Sequence, residues 1–160
     1  MIFTTKAEYG VRLLLQLGLS GGEQPVSLKT VAAAENLPLA YLERIAALLK
    51  KSGLIASTRG AHGGYVLAMP AEEITMDRVV LGLEGAIAPM ECFIEEGADG
   101  RVQCSHPDHD AGHCATKLLW TRVQLGIIRS LQRTTLAELV AFSAKPAGTP
   151  TELPLEIHSS

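Results

Sequence analysis

Three cysteines, Cys92, Cys104 and Cys114, fall within one stretch of the chain, and His106, His109 and His113 share it. A thiolate is a soft ligand suited to zinc or to an iron-sulfur cluster, and an odd cysteine count argues against a disulfide framework. Structural zinc favours ligand pairs about two to four residues apart. Here eleven residues separate Cys92 from Cys104 and nine separate Cys104 from Cys114. Cys104 with His106, or His113 with Cys114, would still supply a close pair, which keeps zinc open. Wide spacing in an irregular stretch suits a cluster gripped from several sides, and three thiolates leave a four-ligand cluster one position short. That position falls to another side chain, an outside thiol or water. A plain thiol sensor is the further alternative.

The stretch from Gly85 to Cys114 has no helical or strand period and holds Gly97, Gly100, Gly112, Pro89 and Pro107. A loop of this length inside a compact chain is uncommon unless it has a function or is disordered. After it, Ala115 opens a long helical pattern in which Leu118, Leu119, Val123, Leu125, Ile127, Ile128 and Leu131 cover more than one stripe. With Trp120, the surplus apolar surface predicts a dimer interface in which long helices from two copies pack. Thr135-Leu136-Ala137-Glu138 has the form of a capping box and starts a short helix through Val140. The tail from residue 144 to residue 160 carries Pro146, Gly148, Pro150 and Pro154 and reads as disordered.

The first part of the chain supplies a frame. Thr4 or Thr5 can cap a first helix with Ala7, Val11, Leu14, Leu15 and Leu17, closed at Ser20-Gly21-Gly22. Ser27 caps a second, short helix that closes at Asn36, and after Leu37-Pro38 a third carries Leu39, Leu42, Ile45, Leu48 and Leu49 at helical spacing. Helix, short turn, helix is the helix-turn-helix arrangement. The third helix leads into Leu54–Thr58, then Arg59-Gly60-Ala61-His62-Gly63-Gly64, then Tyr65-Val66-Leu67, which reads as a β-hairpin with a glycine-rich tip. A recognition helix and its wing follow from this order. Ile74-Thr75 then opens a helix with Met76, Val79, Val80 and Leu83 on one face.

A helix fits the major groove of DNA, and the face opposite the Leu/Ile stripe presents Ala40, Tyr41, Glu43, Arg44 and Ala47. At the tip, Gly60, Gly63 and Gly64 remove side chains so that backbone amides can approach a phosphate, with His62 beside them and Arg59 placed to enter a minor groove. The net charge of −3 hides a division: residues 1–60 hold seven bases against four acids, and the remaining hundred hold seven against thirteen. The basic half carries the recognition elements.

At 160 residues and 47% hydrophobic content the chain is globular, no apolar run is long enough to span a bilayer, and the first residues lack an apolar signal core. The expected location is cytoplasmic. No nucleophile-base pairing, phosphate loop or nucleotide fingerprint is present, so neither an enzyme nor a small-molecule substrate is expected. An adaptor using the winged helix for protein contacts is the alternative to DNA binding.

The sequence resembles the IscR/NsrR/RirA-type family of winged-helix regulators. The resemblance rests on Thr5-Lys6-Ala7-Glu8-Tyr9-Gly10-Val11, Tyr41-Leu42-Glu43-Arg44-Ile45, the wing from Gly53 to Tyr65, Cys114-Ala115-Thr116-Lys117-Leu118-Leu119-Trp120 and Thr135-Leu136-Ala137-Glu138-Leu139-Val140. It implies a homodimeric regulator of double-stranded DNA, with Cys92, Cys104 and Cys114 holding a 2Fe-2S or 4Fe-4S cluster. An acidic residue in the first helix of the partner subunit serves as fourth ligand in one branch, and Glu8 stands at that position. A histidine three residues after the last cysteine serves in another branch, where this chain has Lys117. The expected fold is mainly α with a small β-hairpin wing, divided into a winged helix-turn-helix (1–85), a cysteine-bearing loop (86–114), a long dimerisation helix with a short terminal helix (115–143), and the tail.

Overall fold

A computed structural model of the chain describes residues 4–60, 62–88 and 115–145. Cys92, Cys104, Cys114, the three histidines near them and the tail beyond Lys145 lie outside the described residues. The helices are α1 (Thr5–Leu19), α2 (Leu28–Glu35), α3 (Leu39–Lys51), α4 (Met76–Glu84), α5 (Ala115–Arg133) and α6 (Leu136–Ser143), with strands β1 (Ile55–Thr58) and β2 (Gly64–Leu67) between α3 and α4. A single turn of 3-10 helix, Ala71–Glu73, which periodicity did not reveal, precedes α4.

Local chemistry sets most boundaries. The Thr4 hydroxyl accepts from the Lys6 amide, Ser27 from Thr30 and Thr135 from Glu138, so three helices start at a hydroxyl cap. Asn36 closes α2 in the left-handed region at φ 52°, and the chain turns through Leu37 and Pro38 into α3. α6 runs to Ser143, one turn beyond the Val140 end expected for it.

The core is a single apolar cluster. Leu13, Leu14 and Leu17 of α1 meet Val31 of α2, Leu42, Ile45, Ala46 and Leu49 of α3, Leu54 and Ile55 at the base of the wing, and Ile74, Met76, Val79 and Leu83 around α4. α1 is central, packed against α2, α3, α4 and α6. Gly10 lets it approach α4 closely, since a Cβ there would run into Leu83. Leu136 of α6 is fully buried in the same cluster. The Leu136 amide donates to the Ile74 carbonyl at 2.8 Å and the Met76 amide to the Thr134 carbonyl at 3.0 Å, which stitches the start of α6 to the start of α4. The terminal helix is therefore built into the winged-helix core, although its sequence neighbourhood places it with the dimerisation segment.

The hairpin is antiparallel, with Ile55 opposite Leu67 and Thr58 opposite Gly64. A residue from far upstream extends it: Val26 and Tyr65 exchange both backbone hydrogen bonds, at 3.0 and 2.9 Å. This bridge, just before the Ser27 cap, ties the wing to α2 and left no strand-length pattern in the sequence.

Candidate nucleic-acid interface and sensor residues

On α3 the stripe that faces the core is Leu42, Ile45, Ala46 and Leu49, and the opposite face leaves Ala40, Glu43, Arg44 and Ala47 exposed. Tyr41 departs from its expected place on that open face. It is half-buried, one helical turn before buried Ile45, and its ring meets that of Tyr9 edge-to-face with centroids 5.7 Å apart.

In the wing, Arg59, Gly60 and His62 are exposed, and Gly63 and Gly64 are half-buried. The glycines have intramolecular reasons to be there. Gly60 sits at φ 122°, which L side chains rarely adopt. A Cβ on Gly63 would lie 2.5 Å from the Thr58 carbonyl oxygen, and one on Gly64 would lie 2.5 Å from the Val26 carbonyl oxygen. Close approach of the chain to itself thus accounts for the last two, independently of any phosphate. The tip that results holds Arg59 directly beyond the end of β1.

A side-chain contact that sequence reading missed joins these two parts: the Lys50 ammonium donates to the Ser57 hydroxyl at 2.7 Å. Its only signal in the sequence was a lysine in the last turn of α3 and a serine in a strand.

Glu8 lies on the first turn of α1 with its side chain 63% exposed, and its carboxylate is 3.6 Å from the Arg12 guanidinium one turn on. So weak a contact on the surface contributes little to stability. Arg12 is held elsewhere, donating from Nε to the Glu35 carboxylate at 2.7 Å and from Nη2 to the Glu35 carbonyl at 2.5 Å, while Gln16 donates to the other carboxylate oxygen. The hydrogen bond Arg12 donates to Glu35, reinforced by the carboxylate charge, outweighs desolvation and raises the Arg12 pKa above its ordinary value. The result is a clamp between α1 and the end of α2. At the other end of α1, Glu84 accepts from the Thr4 hydroxyl at 2.5 Å and pairs with Lys6 at 3.2 Å. Burial pushes the Glu84 carboxyl up, but the hydrogen bonds from Thr4 and Lys6 and the lysine charge prevail and hold its pKa below the usual value.

Among the described residues no three of His, Cys, Asp and Glu come together as a metal site. The candidate ligands other than Glu8 lie outside them. α5 begins at Ala115, immediately after Cys114, and none of its 19 residues is buried. Gln124 donates to the Ile87 carbonyl at 2.7 Å and so fixes the chain leaving α4 against α5. No helix among the described residues is long and apolar enough to cross a membrane.

Residues 3–142 match the Rrf2 family, iron-dependent transcriptional regulator. The chain is 39% identical over 140 residues to protein rrf2 of Nitratidesulfovibrio vulgaris, covering 88% of this chain and 87% of that one. The structure of CymR, the global cysteine regulator of Bacillus subtilis, superposes with a TM-score of 0.71 at 33% identity, over 89% of this chain and 98% of that one. IscR of T. potens superposes with a TM-score of 0.70 at 31% identity, over 94% and 93%. CymR of Bacillus subtilis and IscR of Serratia proteamaculans are both HTH-type transcriptional regulators, each 34% identical to this chain. Helix-turn-helix, wing and family match agree on a DNA-binding regulator, and the chain belongs to the Rrf2 family of winged-helix transcriptional regulators.

Proposed function

We propose that the protein is a cytoplasmic homodimer that binds palindromic promoter DNA and whose affinity for it depends on an iron-sulfur cluster responsive to iron, redox state or nitric oxide. Ala40, Tyr41, Glu43 and Arg44 face the bases of one major groove, and Arg59 with Gly60, His62, Gly63 and Gly64 meets the flanking backbone or minor groove. Cys92, Cys104 and Cys114 would hold the cluster, with Glu8 of the partner subunit as fourth ligand. Three thiolates and one carboxylate form a donor set suited to iron. When bound, the cluster supplies one-electron redox chemistry and lability toward oxidants.

The observation that carries this reading is the bare apolar face of α5: Leu118, Leu119 and Leu125 are 57%, 54% and 45% exposed directly after the last cysteine. A second copy covering that face brings another chain beside the cysteines. The exposed Glu8 has only a 3.6 Å ion pair to give up there. Because Arg12 and Glu35 clamp α1 to α2, a shift of α1 reaches the helix-turn-helix as a change in the spacing of the two recognition helices.

The deciding measurement is an anaerobic visible absorption spectrum with iron and sulfide assayed on the same sample. A brown protein carrying both elements is expected, and replacing all three cysteines by alanine should remove the colour and the response of DNA binding to iron or oxidants. A triple variant that responds like wild type would refute the cluster. The likeness to CymR, named a cysteine regulator, favours a second reading in which the same cysteines form a thiol or zinc sensor. Colourless protein with stoichiometric zinc, or with DNA binding altered by a thiol oxidant alone, would establish that reading.

A further inference from the structure

The wing is a short hairpin, and short two-stranded hairpins are marginal on their own. Something must aim it at DNA. Its base is secured by Leu54 and Ile55 in the core, and Val26 bridges to Tyr65 of β2, opposite Ser57. Beyond Ile55 every residue of β1 is exposed, so on that strand, unlike half-buried β2, packing does not fix the outer half. Among the described residues, the one side-chain hydrogen bond between the hairpin and α3 is the 2.7 Å contact from Lys50 to Ser57. Ser57 lies two residues before Arg59, and Lys50 lies in the last turn of α3, six residues after Arg44.

We infer that Lys50 is a positioning residue for DNA binding, which sets the angle between recognition helix and wing through Ser57 rather than serving as a phosphate contact of its own. Composition points the other way. An exposed lysine beside a recognition helix reads as backbone neutralisation, and a serine in an exposed strand reads as filler. The geometry joins them as a strut. A flexible lysine stem with three donors can span from the helix end to the strand, and the hydroxyl offers the acceptor. Arg59 then enters the groove at a fixed distance from Arg44.

The test uses Ser57→Ala, Lys50→Met and the double variant of the full chain, with a labelled duplex that the wild-type protein selects from a randomised pool. Ser57→Ala keeps every charge. It should weaken binding about fivefold, the size of one net hydrogen bond, with the slope of log affinity against log salt unchanged. The double variant should bind no more weakly than Lys50→Met. Trypsin should also cut after Arg59 faster in Ser57→Ala than in wild type, a readout that needs no DNA. The inference is overturned if Ser57→Ala binds and is cut like wild type while Lys50→Met lowers the salt slope by about 0.9, the signature of one lost phosphate contact. Additive losses in the double variant would overturn it equally, since independent contacts add.

Discussion

α5 and α6 follow one another in the chain and behave in opposite ways. α6 is eight residues long and buries Leu136 completely, in a cluster shared with α1, α3 and α4. α5 is 19 residues long, about 28 Å at the rise of an α-helix, has no fully buried residue, and touches the core only through half-buried Leu131 among the described contacts. Both are apolar enough for a core. The difference among the described residues is in what receives the side chains: α6 lies along α1 with Val140 over Gly18, whereas α5 rests on α4 by one flank and leaves Leu118, Leu119 and Leu125 exposed. Hydrophobicity therefore marks a residue for burial without saying in which chain the partner lies.

Substitutions on the two helices should separate these roles. Leu136→Ala opens a cavity in the core and should cost about 2–5 kcal/mol of stability, measured by urea denaturation. A smaller loss would mean that α6 docks loosely. Thr135→Ala removes the hydroxyl that accepts the Glu138 amide at 3.2 Å and should cost about 1 kcal/mol. A similar cost in α5 from Thr121→Ala would blur the contrast.

The Glu84 contacts to Thr4 and Lys6 tie the end of α4 to the start of α1. A carboxyl held below its ordinary value of 4.5 contributes its stabilisation above that pH and loses it as the pH falls through the lower, folded value. Acid unfolding of Glu84→Gln should accordingly lack part of the wild-type pH dependence below about pH 4.5. Identical acid profiles would show that the clasp does not matter. The smallest effect on folding, and the sharpest contrast, is expected for Leu119→Ser. Its intrachain stability should stay within about 0.5 kcal/mol of wild type, while sedimentation velocity shows the dimer weakened. A variant that stays dimeric yet unfolds as readily as Leu136→Ala would place α5 in the monomer's own core.

Helix starts were legible in the sequence because they depend on a few adjacent residues. Thr4, Ser27 and Thr135 accept amides within three residues of themselves, and Asn36 adopts the left-handed turn between α2 and α3. The recognition face was legible in the same way, from the period of Leu42, Ile45 and Leu49. Tyr41 was placed on the open face because helical spacing knows nothing of Tyr9, 32 positions earlier, whose ring covers it. The crowding at the wing glycines is hidden from local sequence for a similar reason. What crowds Gly64 is Val26, which no local pattern brings near it.

By itself the sequence determined which segments are helical, where the hairpin turns, and that three cysteines share one stretch after a winged helix-turn-helix. Those properties follow from backbone preference, capping and periodicity over a handful of neighbours. Only the tertiary structure decided that α6 completes the core while α5 leaves Leu118, Leu119 and Leu125 exposed, that Glu35 clamps Arg12 and Gln16 across two helices, and that Lys50 reaches Ser57. Each of these depends on the distance between side chains far apart in the chain or on separate elements, and that distance exists only once the helices have packed.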